Sequence, residues 1–233
     1  MLDTNGLKGS EVSFPFDIIG FDLDGTLVDT SGDLAAAVNH VLDGVGRPLL
    51  STDTVKQYIG GGAKLMLQQG LEATGGIPGD DFKPFYKEML AYYADNVSVH
   101  SRPFDGALAM LDELDAMGVR YAVVTNKFES LAVNLLTDLD LARRMGCILG
   151  ADTLGKENAK PSGAPIFEMI KRCGGGRAAY IGDSIYDTMA AKNAGVPSVA
   201  CSFGFLHGPV EDLGADAIID HFDDLIGVLR QLP

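Results

Sequence analysis

Six short stretches of the chain are apolar almost throughout and stop at polar residues: 18–22, 121–125, 147–149, 179–183, 198–201 and 217–220. Unbroken apolar character, in place of alternation, is what a strand covered on both faces needs. Between these stretches the apolar positions recur at helical spacing. Ala107, Leu108, Leu111 and Leu114 lead to Gly118, and Leu131, Leu135 and Leu136 follow the second strand. Ile166, Phe167 and Ile170 precede Gly174-Gly175-Gly176, which reads as a helix stop. Alternating strands and helices predict an α/β fold built on a doubly wound parallel sheet. In such sheets ligands bind beyond the carboxyl ends of the strands, so the polar residues that end these stretches are the ones to examine.

From about Thr30 to Arg102 the alternation stops and all the apolar spacing is helical. The repeats run Leu34, Val38, Val41 and Leu42; Val55, Tyr58 and Ile59; Leu65, Met66 and Leu71; and Phe82, Phe85, Tyr86, Met89 and Leu90. Turn residues at 44–48, 60–62 and 75–79 separate them. The pattern predicts an all-helical module over 30–102, inserted after the first strand and dividing the core into 1–29 and 103–233.

Composition narrows the function. Hydrophobic residues make up 46% of the 233, and charged residues 21%, which suits a globular chain and excludes a disordered one. Lys plus Arg number 18 against 32 Asp plus Glu, a net charge of −14. A field of that sign repels nucleic acid and anionic membrane, so neither is an expected partner. A small anion remains compatible, because local cations outweigh a distant field. No run approaches the roughly eighteen apolar residues of a membrane span. The three cysteines, Cys147, Cys173 and Cys201, are odd in number and form no CxxC pair, which suits a reduced, cytoplasmic protein. Residues 1–10 are polar, lack the apolar centre of a signal peptide, and read as a short flexible tail.

The strand ends carry the candidate chemistry. The first runs into Asp22-Leu23-Asp24-Gly25-Thr26-Leu27-Val28-Asp29. Side chains two apart on an extended chain share a side, so Asp22 and Asp24 face one site. Paired carboxylates repel unless a proton is kept or a cation shared, and Mg²⁺ is the usual hard cation beside phosphate. An ordinary solvated Asp-Gly turn has the same letters. The fourth strand leads into Gly182-Asp183-Ser184-Ile185-Tyr186-Asp187. Ser184 suits an N-cap, and Asp183 and Asp187 lean toward the strand end; capping alone accounts for them equally well. Thr125-Asn126-Lys127 ends the second strand. Thr125 and Asn126 with free helix amides make a phosphate cradle, although Asn126 with Glu129 also matches a capping box. Lys160 precedes Pro161, which suits a first helical position. A lysine at a helix N-terminus is disfavoured by the macrodipole and makes sense opposite an anion. The Gly60-Gly61-Gly62 turn followed by Lys64 is a candidate substrate-facing loop or a plain interhelical turn. His40, His100, His207 and His221 show no metal-ligand spacing.

Taken in order, DxDGT, TN, KP and GDSxxD resemble the haloacid dehalogenase-like superfamily, in its phosphatase branch. Phe21 to Asp29, Val124 to Lys127, Tyr180 to Ser184, Phe203-Gly204-Phe205 and Gly214-Ala215-Asp216 are most similar to the phosphoglycolate phosphatase-type subgroup. The likeness runs from about Phe16 to the end. Ser162 to Pro165 and Asp105 depart from the subgroup's usual proline placement. The resemblance implies a Rossmann-like core with a helical cap, acting as a monomer or homodimer on a small phosphorylated metabolite such as 2-phosphoglycolate. It implies Asp22 as the nucleophile, forming an aspartyl-phosphate, and Asp24 as the acid and base. It implies Mg²⁺ held by Asp22, the Asp24 backbone carbonyl and Asp183. Thr125, Asn126 and Lys160 would bind phosphate, supported by Gly25 and by Asp187, which would orient Lys160. The alternatives are a phosphosugar mutase of the β-phosphoglucomutase type, which often carries Val where Thr26 stands, and a non-enzymatic phospho-accepting switch. A dehalogenase would need no acid at Asp24, and a phosphonate-cleaving relative would use a cap lysine.

Overall fold

The computed structural model describes residues 14–233; the tail read into residues 1–10 lies outside them. Strand β1 (Ile18–Phe21) is buried at every position. Its side chains alternate between two apolar layers, Ile18 joining one and Ile19 and Phe21 the other. Gly20 faces Met169 so closely that a Cβ there would lie 2.6 Å from the Met169 sulfur.

The chain then leaves the sheet. A two-residue strand, β2 (Val28–Asp29), is followed by helices α1 (Ser31–Gly44), α2 (Thr52–Lys56), α3 (Ala63–Ala73) and α4 (Lys83–Asp95), and by β3 (Arg102–Pro103). β2 and β3 pair antiparallel, so the outgoing and returning strands of the helical segment lie side by side. These strands are too short to show any apolar pattern. The junction is fastened by Asp33, 2% exposed in the first turn of α1. Its carboxylate accepts from the His100 amide at 2.9 and 3.0 Å, the Ser101 amide at 2.8 Å and the Ser101 hydroxyl at 2.7 Å. Charge-assisted bonds of this kind are the strong ones. Four helices form near the predicted repeats, although Tyr58 and Ile59 fall just past α2 and Phe82 caps α4; Leu34, Val38, Val41 and Leu42 of α1 are buried and packed in one cluster with Met66, Leu67 and Leu71 of α3 and Met89 and Tyr93 of α4.

The remaining elements are α5 (Ala107–Ala116), β4 (Arg120–Val124), α6 (Glu129–Asp138), β5 (Ile148–Leu149), α7 (Ala164–Arg172), β6 (Ala178–Gly182), α8 (Ile185–Ala194), β7 (Ser198–Cys201), β8 (Ala217–Ile219) and α9 (Leu225–Leu229). Among the described residues the main sheet has six strands, all parallel, in the order β5-β4-β1-β6-β7-β8. All six apolar stretches are therefore strands, and the sheet is doubly wound. Buried residues of α7 and α8 cover one face, while those of α5, α6 and α9 cover the other. The order reverses between β1 and β6, and the gap beyond a reversal is where such sheets bind ligands. Among the described residues, no helix is long and apolar enough to cross a membrane.

One local expectation fails. Pro161 does not open a helix. α7 starts at Ala164 with Pro165 in its first turn, where a missing N–H costs nothing, and the Lys160–Pro161 peptide is cis. Lys160 therefore precedes the α7 N-cap by three residues and does not itself begin the helix.

Candidate active site

The strand-order reversal brings two carboxylates together. Asp22 follows β1 directly, its amide still bonded to the Ile181 carbonyl of β6 at 2.9 Å. Asp183 follows β6. The chain after β1 must turn at once, and Gly25, with φ +87°, allows it. Gly25 is also needed for space: a Cβ there would lie 2.3 Å from Asp183 Oδ2. The turn delivers Thr26, whose hydroxyl donates to Asp183 Oδ1 at 2.9 Å, while the Phe205 amide donates to Oδ2 at 2.7 Å. Asp183 is therefore fixed by the loops after β1 and β7. Gly204 permits the second approach, since a Cβ there would lie 2.2 Å from that of Asp183.

Asp187 stands in the first turn of α8. Its Oδ2 accepts from the Ser184 amide at 3.0 Å and the Ser184 hydroxyl at 2.5 Å, so capping and site-building coexist. Its Oδ1 accepts from Lys160 Nζ at 2.6 Å. Lys160, 5% exposed, also lies 2.8 Å from Asp22 Oδ1 and donates to the Tyr180 hydroxyl at 3.2 Å. These carboxylates, and no helix terminus, account for the buried ammonium. Its contact with Asp22 is an ion pair, and among the described residues Asp22 Oδ1 accepts no hydrogen bond.

The electrostatics follow from burial. Burial pushes Asp22 up to about 6; Lys160 pulls it back, and Asp187 adds repulsion. Burial, then Asp187 and Asp22, raise Asp183 well above the carboxylate range despite its two donors. Burial opposes the charge on Lys160, but Asp187 and Asp22 outweigh it and hold the ammonium well above its ordinary value. One lysine is thus too little positive charge for three carboxylates. One oxygen each of Asp22, Asp183 and Asp187 lies within 4.8 Å of the others. A hard divalent cation fits this set, because all the donors are oxygens and one ammonium leaves three carboxylates short of positive charge.

Asp24, Thr125, Asn126 and Lys160 line the same cavity of about 280 Å³ as Asp22 and Asp183. The Thr125 oxygen accepts from the Lys127 amide at 3.2 Å, which leaves its hydroxyl hydrogen free. Asn126 does not form the expected capping box. α6 starts later, with Phe128 at its N-cap and the Glu129 amide taken by Asp152 at 2.9 Å. Asn126 instead donates to the Lys160 carbonyl at 3.1 Å, and its Oδ1 is buried without a partner among the described residues.

Two features escape the sequence reading. Lys127 Nζ reaches both Asp24 oxygens, at 2.8 and 3.1 Å, and lies 4.5 Å from the ring centre of Tyr93 on α4. Its place directly after Thr125-Asn126 is the only sequence signal for it. The other is which helical side chains roof the cavity: Met66, Tyr86, Leu90 and Tyr93 join the Gly60-Gly61-Gly62 turn and Lys64, the loop already expected to face the substrate. Four lysines (Lys64, Lys127, Lys156 and Lys160) and three aspartates line the cavity, so its balance reverses the sign of the whole chain.

The sequence profile of the haloacid dehalogenase-like hydrolases matches residues 19–201, which takes in β1 through β7 and every residue of the floor except Phe205 and its neighbours. The chain belongs to the haloacid dehalogenase-like hydrolase family. Within that family it is 38% identical over 213 residues to a phosphoglycolate phosphatase of Agrobacterium fabrum, covering 90% of each chain. It is 38% identical over 210 residues to one of Caulobacter vibrioides, covering 89% of this chain and 88% of that one. A crystal structure described as a predicted phosphoglycolate phosphatase from Haemophilus somnus superposes with a TM-score of 0.84 at 31% identity, covering 92% of this chain and 98% of that one. Membership in a hydrolase family separates the chain from a phospho-accepting switch that turns nothing over.

Proposed function

We propose that this family member is a Mg²⁺-dependent phosphatase that hydrolyses a small phosphate monoester through an aspartyl-phosphate on Asp22, with 2-phosphoglycolate as the favoured substrate. The observation that carries the reading is the meeting of Asp22 and Asp183 from two separate strands, with Asp24 in the same cavity. The names of the relatives above support the choice of substrate.

In this reading Asp22 attacks phosphorus and the ester oxygen leaves, so one hard displacement becomes two easier ones. Asp24 protonates the leaving alkoxide, then takes a proton from the water that hydrolyses the intermediate. An alkoxide is a poor leaving group, which is why the second acid matters. Lys160, Thr125 and Asn126 bind the phosphoryl oxygens, and Asp187 holds Lys160 in place. Mg²⁺ would be held by Asp22, the Asp24 carbonyl and Asp183, where it supplies positive charge against the carboxylate–phosphate repulsion. Residues 30–102 act as a cap that covers the site and excludes water. Three free thiols, Cys147, Cys173 and Cys201, agree with work in a reducing cytoplasm.

The test is free phosphate release from a panel of small phosphate monoesters, with and without Mg²⁺, compared by kcat/KM. The reading expects 2-phosphoglycolate to lead the panel and chelator to stop turnover. Undiminished turnover in chelator, or isomerised sugar phosphate without free phosphate, would overturn it.

A further inference from the structure

We propose that Lys127 and Tyr93 form the subsite that reads a carboxylate beside the leaving oxygen, so that they set which phosphate monoesters the site accepts. This rests on the phosphatase reading above and adds the residues that select its substrate.

Two buried lysines border the cavity with different partners, Lys160 within the floor and Lys127 where floor and roof meet. Lys160 serves Asp22 and Asp187, the side of the site where phosphorus is attacked. Lys127 serves Asp24, the side from which the alcohol departs. An ammonium has three N–H donors. Two of those on Lys127 are engaged by the Asp24 oxygens at 2.8 and 3.1 Å, which leaves one. The Tyr93 side chain lies against this ammonium, with its ring centre 4.5 Å away. Tyr93 is 3% exposed and lines the cavity, yet among the described residues its hydroxyl has no hydrogen-bond partner. A buried hydroxyl without a partner costs stability and calls for a ligand atom or water to satisfy it.

One spare ammonium hydrogen and one unpartnered phenol in the same corner suit an anion. The geometry limits where that anion sits on the substrate. The leaving oxygen must lie within hydrogen-bond reach of Asp24, and Lys127 is within the same reach of that carboxylate. The second anionic group therefore lies within three hydrogen-bond spans, at most about 9 Å, of the leaving oxygen. A carboxylate on the carbon that bears the leaving oxygen meets this limit. Asp24 itself already shows that Lys127 takes a carboxylate here.

The experiment compares kcat/KM for 2-phosphoglycolate with kcat/KM for ethyl phosphate, which has the same leaving oxygen and no carboxylate. Their ratio cancels any general loss of activity. In Lys127→Met the ratio falls about 10- to 100-fold, the usual loss for a hydrogen bond to a charged group. In Tyr93→Phe, which removes only the hydroxyl, it falls about 3- to 10-fold. The second variant changes little volume and decides the matter if the first does not fold. Equal losses on both esters in these variants would assign Lys127 to Asp24 alone and overturn the proposal. An unchanged ratio would overturn it too. Failure of the phosphatase reading would look different: the unaltered chain would hydrolyse neither ester, and the proposal would fall with it.

Discussion

The floor and the roof of the cavity are built on opposite principles. The floor is a closed set of buried charges, Asp22, Asp183, Asp187 and Lys160, each held by partners from other elements. The roof, from α3, α4 and the turn before α3, is mainly apolar and aromatic, with Met66, Tyr86, Leu90 and Tyr93 facing the same space. A charged floor fixes atoms to within a fraction of an ångström, as an in-line displacement needs. An apolar roof excludes water and offers shape. The contrast teaches a division of labour: substitutions below should destroy chemistry, and substitutions above should redirect it.

The division is broken most severely from below. Asp24→Asn should lower kcat on alkyl phosphates by about 10²–10⁴-fold, the usual worth of acid–base help, with KM little changed. Steady-state kinetics on 2-phosphoglycolate check this. Lys160→Met comes next, because it leaves buried carboxylates without their cation. Unpairing a buried charge costs about 3–5 kcal/mol, so thermal unfolding of the metal-free chain should show a clear drop in Tm. A Tm equal to that of the unaltered chain would mean that Lys160 does not hold the buried carboxylates together.

A pH profile sharpens the same point. Burial, tempered by Lys160, puts Asp22 at about 6, and a nucleophile must be ionised. At limiting Mg²⁺ the acid limb of kcat/KM should therefore lie near pH 6. Raising Mg²⁺ should move that limb to lower pH, because a cation favours the ionised carboxylate. A limb that stays fixed across Mg²⁺ concentrations would separate Asp22 from the metal. From above, the effect should be smaller and different in kind. Leu90→Ala should change the ranking of substrates by about 10-fold in kcat/KM, the scale of apolar pocket contacts. It should leave kcat on the best substrate near its original value. A large loss of kcat with no change in ranking would erase the distinction between roof and floor.

The same contrast explains what the sequence disclosed. The strands are continuous apolar runs, and the floor residues sit where those runs stop, so Asp22, Asp183 and Thr125 were legible from position alone. Asp187 was legible as a capping residue and is also part of the acid cluster, because one of its oxygens serves Ser184 and the other Lys160. Local patterns misled where tertiary partners took over. Asn126 and Glu129 have capping-box spacing, but Asp152 claims the Glu129 amide from a different loop. Lys160 reads in the sequence as a helix-start lysine opposite an anion; the helix starts later, and the anions are two carboxylates from other elements. The Gly60-Gly61-Gly62 turn and Lys64 were legible as a candidate substrate-facing loop, and the rest of the roof only as helical periodicity. Which helical side chains meet the cavity depends on how α3 and α4 dock, and no local spacing encodes that. The Lys127–Asp24 pair joins residues 103 apart, and the Asp33 clamp on Ser101 joins residues 68 apart.

The central claim is that the Asp22 carboxylate takes the phosphoryl group. It is tested most directly by quenching the enzyme during turnover of 2-phosphoglycolate, reducing with borohydride and sequencing the peptides by mass spectrometry. An acyl phosphate on Asp22 would be reduced to homoserine at that position, and Asp22→Asn would show neither the product nor turnover. Unmodified Asp22 in a reaction that is releasing phosphate, or turnover that survives in Asp22→Asn, would contradict the claim.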